Sequence, residues 1–260
     1  MGSRSVRSRS VGSRSADEFE DWSRLHGGVR PSGPVRLWLR VVQRLAAGPV
    51  SRVHPDVLSA TGVLCTLLAV AAGAVGGRWI GVAAGLVILA GLFDGLDGAV
   101  ALRTGRSRPL GAVVDAMADR VGDLLLVSTL AVLGAPPLGC VGVAVLVLVH
   151  EYLRVRAQVA GLPGVGAVTI AERPTRILIV AVTAFGTAAR PGGTPLTGWD
   201  WATVGTAGWL VVGVVGLGQL AVSVVRDLPA QAGPTSPATI DADSATSGSP
   251  PPGCADPPTR

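Results

Sequence analysis

Four aspartates stand in one stretch, DGLDGAVALRTGRSRPLGAVVDAMAD at positions 94 to 119, between two runs of almost wholly apolar residues. On a helix, Asp94 and Asp97 lie about 60° apart around the axis, and Asp115 and Asp119 about 40° apart, so each pair shares a face. The short Arg-rich link between them lets two helices fold back as antiparallel neighbours, which would bring the two faces together. An acidic side chain inside a bilayer costs roughly 2.5 to 3.5 kcal/mol and usually marks an ion or substrate site. Converging carboxylates with no His or Cys beside them are hard oxygen ligands, suited to Mg²⁺, Mn²⁺ or Ca²⁺ rather than zinc.

The elements that must hold these residues read as membrane helices. Apolar residues make up 48% of the 260, charged residues only 15%, and the mean hydropathy is +0.50, which places the chain outside the usual soluble class. The expected fold is an all-α integral membrane bundle of six spans, preceded by an interfacial amphipathic helix. The spans are 57–75, 79–102, 110–133, 137–155, 177–189 and 202–225, with 177–189 too short to cross without its polar lead-in. Over 34–47, Leu37, Val41 and Leu45 fall on one helical face and Arg36, Arg40 and Arg44 on the next, the pattern of a basic helix lying against anionic headgroups. Positions 34–227 therefore form one membrane domain. The flanks, 1–33 and 228–260, are rich in Ser, Arg, Gly and Pro and are expected to be disordered arms. The three cysteines are far apart and form no disulfide framework or metal motif.

All 22 basic residues are Arg. Only Arg78 and Arg190 fall in the links on the side opposite the N-terminus, so both termini and the acidic quartet are expected to face the cytoplasm, in the plasma membrane. That bias, rather than nucleic-acid binding, accounts for a pI near 10.3.

The run D94-x-x-D97-G98-x-x-A101 followed by G111-x-x-x-D115-x-x-x-D119 resembles the signature of the CDP-alcohol phosphatidyltransferases, integral membrane enzymes of phospholipid synthesis. The resemblance implies attack of an alcohol on the lipid-side phosphorus of CDP-diacylglycerol, with release of CMP, and a homodimer. It implies Asp94, Asp97 and Asp115 as ligands of two divalent ions, Mg²⁺ or Mn²⁺, and Asp119 as general base that could also touch metal. Two such ions stabilise the attacking and departing oxygens of a phosphoryl transfer, and a carboxylate not fully spent on metal can take the hydroxyl proton. Gly98 and Ala101 would leave room for the nucleotide, with Gly111 beside it. The run from Pro55 to Ser59 resembles the family's P-[ND]-x-x-[ST] entrance, giving Asp56 and Ser59 a place near the nucleotide; Asp56 could equally just cap its helix. The family pattern has Arg directly after the motif Ala. Here that residue is Leu102, and Arg103 is turned about 100° away: either it reaches back, or the nucleotide is held differently.

Arg154, Arg156, Arg173 and Arg176 cluster at the cytoplasmic ends of the fourth and fifth spans, and Arg forks suit phosphate. The Y-x-R-x-R-A run at 152–157 and E-R-P-x-R at 172–176 look similar to the actinobacterial phosphatidylinositol-phosphate synthases, implying inositol 1-phosphate as acceptor. Those enzymes carry a basic residue two places before the motif Gly, where this chain has Pro109; Arg108 is the available substitute. Glycerol 3-phosphate is the alternative acceptor, and simple anchoring of loops to anionic lipid is the alternative role for the Arg set. Asp123 is expected to partner Arg120 rather than a metal, and His150 to be an interior polar group. A transporter is the reading from another class, disfavoured because the acidic motif has no second copy in the C-terminal half. An inactive scaffold is disfavoured by the complete quartet.

Overall fold

The computed structural model describes residues 33–105, 108–162 and 169–228. The expected arms lie outside these residues, apart from Gly33 and Leu228. Among the described residues there are seven α-helices, one 3-10 turn and no strand. The helices are α1 (Gly33–Ala46), α2 (Pro55–Val75), α3 (Trp79–Thr104), α4 (Pro109–Val132), α5 (Pro137–Val159), α6 (Arg173–Ala189) and α7 (Trp201–Asp227), with the 3-10 turn at Pro49–Arg52.

Their boundaries follow from local chemistry. Pro55, Pro109 and Pro137 open α2, α4 and α5, where a missing N–H costs nothing. Gly105 closes α3 with φ +64°, a left-handed conformation that glycine adopts without strain. The cap of α2 is His54, whose Nδ1 accepts from the Asp56 N–H; the Asp56 side chain instead pairs with Arg108, so capping is not its role. Helix α6 starts at Arg173 rather than Ile177, because the lead-in with Pro174 in its first turn is itself helical.

Six helices thus occupy the six expected spans, but only α2, α3, α5 and α7 are long and apolar enough to cross a membrane. Helix α4 carries Asp115, Asp119, Arg120 and Asp123, and α6 has 17 residues. Large apolar side chains such as Leu138, Val182, Val211 and Val225 lie exposed on the outer faces, as expected where lipid rather than water is the surroundings.

The core combines small and large apolar residues. Ala69, Ala83, Val87, Leu126, Leu130, Val143, Val147, Val180 and Trp209 form its centre. Helix α2 packs along α3 and α4, and α3 also packs along α6, so the two halves of the acidic motif and the start of α6 meet. Gly91 sets the α3–α6 approach: a Cβ there would stand 2.9 Å from Ile177 Cδ1. Gly91→Val is expected to cost about 1–3 kcal/mol of stability by overpacking and to part Asp94 from Arg173, read as a lower unfolding temperature in detergent.

Helix α1 lies against α3 through Val42 and Ala46, which join Leu58, Leu96 and Val100 in a second apolar cluster. Val41 and Leu45 stay exposed beside Arg40 and Arg44. The face that docks on α3 is thus a different one from the Val41 and Leu45 face that the sequence assigns to the lipid interface.

Candidate active site

Asp94, Asp97 and Asp119 line one cavity with Ser59, Gly62, Ala118 and Arg173. Its volume is about 10 Å³, close to the room one water needs. Both halves of the motif thus contribute to one site, although α3 and α4 are not the directly packed neighbours the sequence suggested: α2 packs along both of them.

Asp97 is held by Ser59, while Asp94 and Asp119 share Arg173. Asp97 is 5% exposed, and its Oδ2 accepts a 2.6 Å hydrogen bond from Ser59 Oγ on α2. Asp94 Oδ1 lies 3.0 Å from Arg173 Nε in an ion pair, although that N–H is not aligned for a hydrogen bond. Arg173 Nη1 donates to Asp119 Oδ1. Asp115 lies one turn before Asp119, exposed and outside the cavity lining, but close enough to interact with the charges of Asp97, Asp119 and Arg173.

The aspartates are paired with protein partners rather than gathered on one point. Among the described residues, no three His, Cys, Asp or Glu side chains stand together as a metal-holding group. The reason is that Asp94 and Asp119 turn onto Arg173 and Asp97 turns onto Ser59. The donor set still fits a hard divalent cation: three carboxylates around one cavity, a fourth a turn away, and no sulfur or imidazole among the lining residues.

The Arg set divides as well. Arg173 reaches the acidic cavity. Arg176 is 1% exposed; it donates to Asp123 Oδ2 at 2.6 Å, to Glu151 Oε1 at 3.4 Å and to the Ala171 carbonyl at 2.7 Å. Arg154 forks onto Glu172, at 2.6 and 3.4 Å. Arg156 is exposed on α5. Arg154 and Arg176 therefore do not join a free phosphate-binding cluster, because Glu172, and Asp123 with Glu151, already engage their donors. Burial alone would raise the Glu172 pKa, yet the Arg154 guanidinium and the Thr169 donors outweigh it and hold that carboxyl below the usual range. Arg120 bridges 3.5 Å to Asp123, as expected, and 3.1 Å to Glu151. His150 is 2% exposed and its Nε2 lies 3.2 Å from Thr169 Oγ1, an interior polar group tied to the loop before α6.

The remaining candidates lie outside the cavity lining. Asp56 and Arg108 form a 2.5 Å pair beside Gly111, whose added Cβ would meet Arg108 Cγ at 3.2 Å. Gly98 is exposed, with open space next to it, and Ala101 is half-buried one turn on. Arg103 donates to Gln43 of α1 at 3.3 Å, and Leu102 is 69% exposed. Sequence reasoning missed Gly62 and Ala118 as cavity walls, and Glu151 and Glu172 as the partners of the Arg residues. The available signal was the Arg itself, since one inside an apolar bundle needs an acidic partner; nearness in sequence does not say which, because Arg154 pairs with Glu172 and Arg176 with Glu151 across 18 and 25 residues.

Comparison with known proteins agrees with the site. The family profile for CDP-alcohol phosphatidyltransferase matches residues 52–215. The archaetidylinositol phosphate synthase of Aeropyrum pernix is 36% identical over 135 residues, covering 50% of this chain and 69% of that protein. The phosphatidylinositol phosphate synthase of Mycolicibacterium smegmatis is 34% identical over 136 residues, covering 49% of this chain and 60% of that protein. The crystal structure of Mycobacterium tuberculosis phosphatidylinositol phosphate synthase with CDP-DAG bound superposes with a TM-score of 0.54 at 27% identity, over 71% of this chain and 94% of that one. The same enzyme has also been solved in complex with manganese and citrate. With the profile spanning the membrane helices from the turn before α2 into α7, and with both motif halves meeting at one cavity, the chain belongs to the CDP-alcohol phosphatidyltransferase family.

Proposed function

We propose that this phosphatidyltransferase moves the phosphatidyl group of CDP-diacylglycerol to inositol 1-phosphate, releasing CMP at the cytoplasmic face of the plasma membrane. The observation that carries the reading is the shared cavity: carboxylates from α3 and α4 face one another with the Arg173 guanidinium among them. An anionic substrate approaching that place meets both a cation-binding acidic set and a fixed positive charge.

Asp94, Asp97, Asp115 and Asp119 would hold two divalent ions, Mg²⁺ or Mn²⁺. When bound, such ions neutralise the diphosphate oxygens and stabilise the departing CMP. The protein's own residues do the rest. Ser59 fixes the Asp97 carboxylate by its hydrogen bond. Asp119 takes the proton as the acceptor hydroxyl attacks the lipid-side phosphorus; the bond from that phosphorus to the bridging oxygen breaks, and the oxygen leaves with CMP. Gly98 and Ala101 leave the α3 surface open to the nucleotide, with Asp56 and Gly111 flanking it. Arg103 serves the nucleotide only by leaving Gln43. The exposed Arg156 is available to the acceptor phosphate, and Arg173 and Arg108 reach it by leaving Asp94, Asp119 and Asp56. Arg154 and Arg176 act indirectly, by holding the segment that carries Arg173.

Support for the acceptor comes from the relatives, named as inositol phosphate synthases of archaeal or bacterial lipids. A homodimer, with α1 lying at the lipid headgroups, completes the reading. The test is a panel of inositol 1-phosphate, glycerol 3-phosphate, serine and free inositol, each offered to purified protein with CDP-diacylglycerol and Mn²⁺ or Mg²⁺. CMP release is expected with inositol 1-phosphate and only with metal. Release with glycerol 3-phosphate alone would reassign the acceptor, and release in chelator would remove the metal.

A further inference from the structure

We propose that Arg173 is an internal counter-ion that competes with the divalent cation for Asp94 and Asp119, and that the cation, by displacing it, frees the guanidinium for the acceptor phosphate. The proposal rests on reading these two aspartates as cation ligands. It adds an order of events: metal binds before the phosphorylated acceptor.

The geometry behind it is specific. Arg173 is the first residue of α6, and its guanidinium spans Asp94 Oδ1 on α3 and Asp119 Oδ1 on α4. A hard cation held by the same two residues needs those same oxygens. Arg173 is 15% exposed at the side chain, so its charge is little screened, and two positive charges at one carboxylate pair repel strongly. The fold also makes room for the side chain. Gly122, one turn after Asp119, faces it so closely that a Cβ would stand 2.8 Å from Arg173 Nη2. Nearby, Arg176 grips the Ala171 carbonyl and fixes the backbone from which Arg173 projects. The counter-ion is thus set by both its helix and its cradle, while its far end is a rotatable side chain that can leave.

Competition for shared oxygens is reciprocal: whatever removes the guanidinium tightens the cation, and the cation exposes the guanidinium. Mn²⁺ binding to the full-length protein in detergent, without substrates, is read from the free-ion signal in electron paramagnetic resonance. Arg173→Ala is expected to bind Mn²⁺ about 5- to 150-fold tighter than wild type, the range of ordinary coupling between sites. Gly122→Ala keeps the arginine but pushes its head off Asp119, and is expected to tighten Mn²⁺ in the same direction. Labelling of Arg173 by phenylglyoxal, followed by peptide mass mapping, is expected to rise when Mn²⁺ is added to wild type.

Unchanged or weaker Mn²⁺ binding in Arg173→Ala overturns the proposal, and so does Arg173 labelling that ignores Mn²⁺. Should Arg173→Ala not fold, Gly122→Ala decides by the same criterion. If no form of the protein binds Mn²⁺, the cation reading of the aspartates fails with it. If all forms bind Mn²⁺ equally, that reading stands and only the competition falls.

Discussion

Asp119→Asn lowers CMP release by about 10²- to 10⁴-fold, the usual loss when a positioned general base is removed. The substitution is nearly isosteric and the site tolerates it structurally. Arg173 keeps its contact with Asp94, and Arg120, 3.7 Å from Asp119, keeps Asp123 and Glu151. What goes is the negative charge that can take a proton and help hold a cation. Asp97→Asn is expected to fall at least as steeply, because Asp97 is the most buried of the cavity carboxylates and has only the neutral Ser59 hydroxyl as its side-chain hydrogen-bond partner. Both variants should elute from gel filtration as wild type does. Turnover is followed as radiolabelled CMP, and wild-type rates in both would mean that the chemistry happens elsewhere.

The second large effect is on stability. Arg176→Met is expected to destabilise the protein by about 3–5 kcal/mol, the cost of leaving buried charges without their partner. Arg176 is 1% exposed, and its loss would take the 2.6 Å partner from the fully buried Asp123, leaving it Arg120 at 3.5 Å, and would leave the Ala171 carbonyl without its side-chain donor. The matched control is Arg156→Met on the exposed side of α5, where a surface change stays within about 0.5 kcal/mol. Thermal unfolding in detergent separates the two. A stable Arg176→Met that merely loses affinity for the phosphorylated acceptor would return this residue to the substrate and undo the scaffold role.

These expectations mark the border between local and long-range information. The D-x-x-D and D-x-x-x-D spacings put each aspartate pair on one helix face from sequence alone, because three and four residues nearly complete a helical turn. Helix starts at Pro55, Pro109 and Pro137 were equally legible, since proline acts on its own turn. The count of six helices followed from apolar length, although α6 borrows polar residues and α4 carries more charge than a lipid-exposed span tolerates. The docking of α1 on α3 through Val42 and Ala46 was not legible, because apolar pattern alone does not say whether protein or lipid covers a side chain.

What the sequence by itself determined is that charged residues of both signs sit within an apolar helical bundle, with each aspartate pair sharing one helix face. Only the tertiary structure decided which charge answers which. Arg173 and Asp119 are 54 residues apart, and Arg176 and Asp123 are 53 apart. Helical periodicity relates neighbours three or four places away and carries no information across such gaps. The pairings depend on how closely α3, α4 and α6 approach, and that is set by small residues such as Gly91 and Gly122, whose missing side chains admit a neighbour.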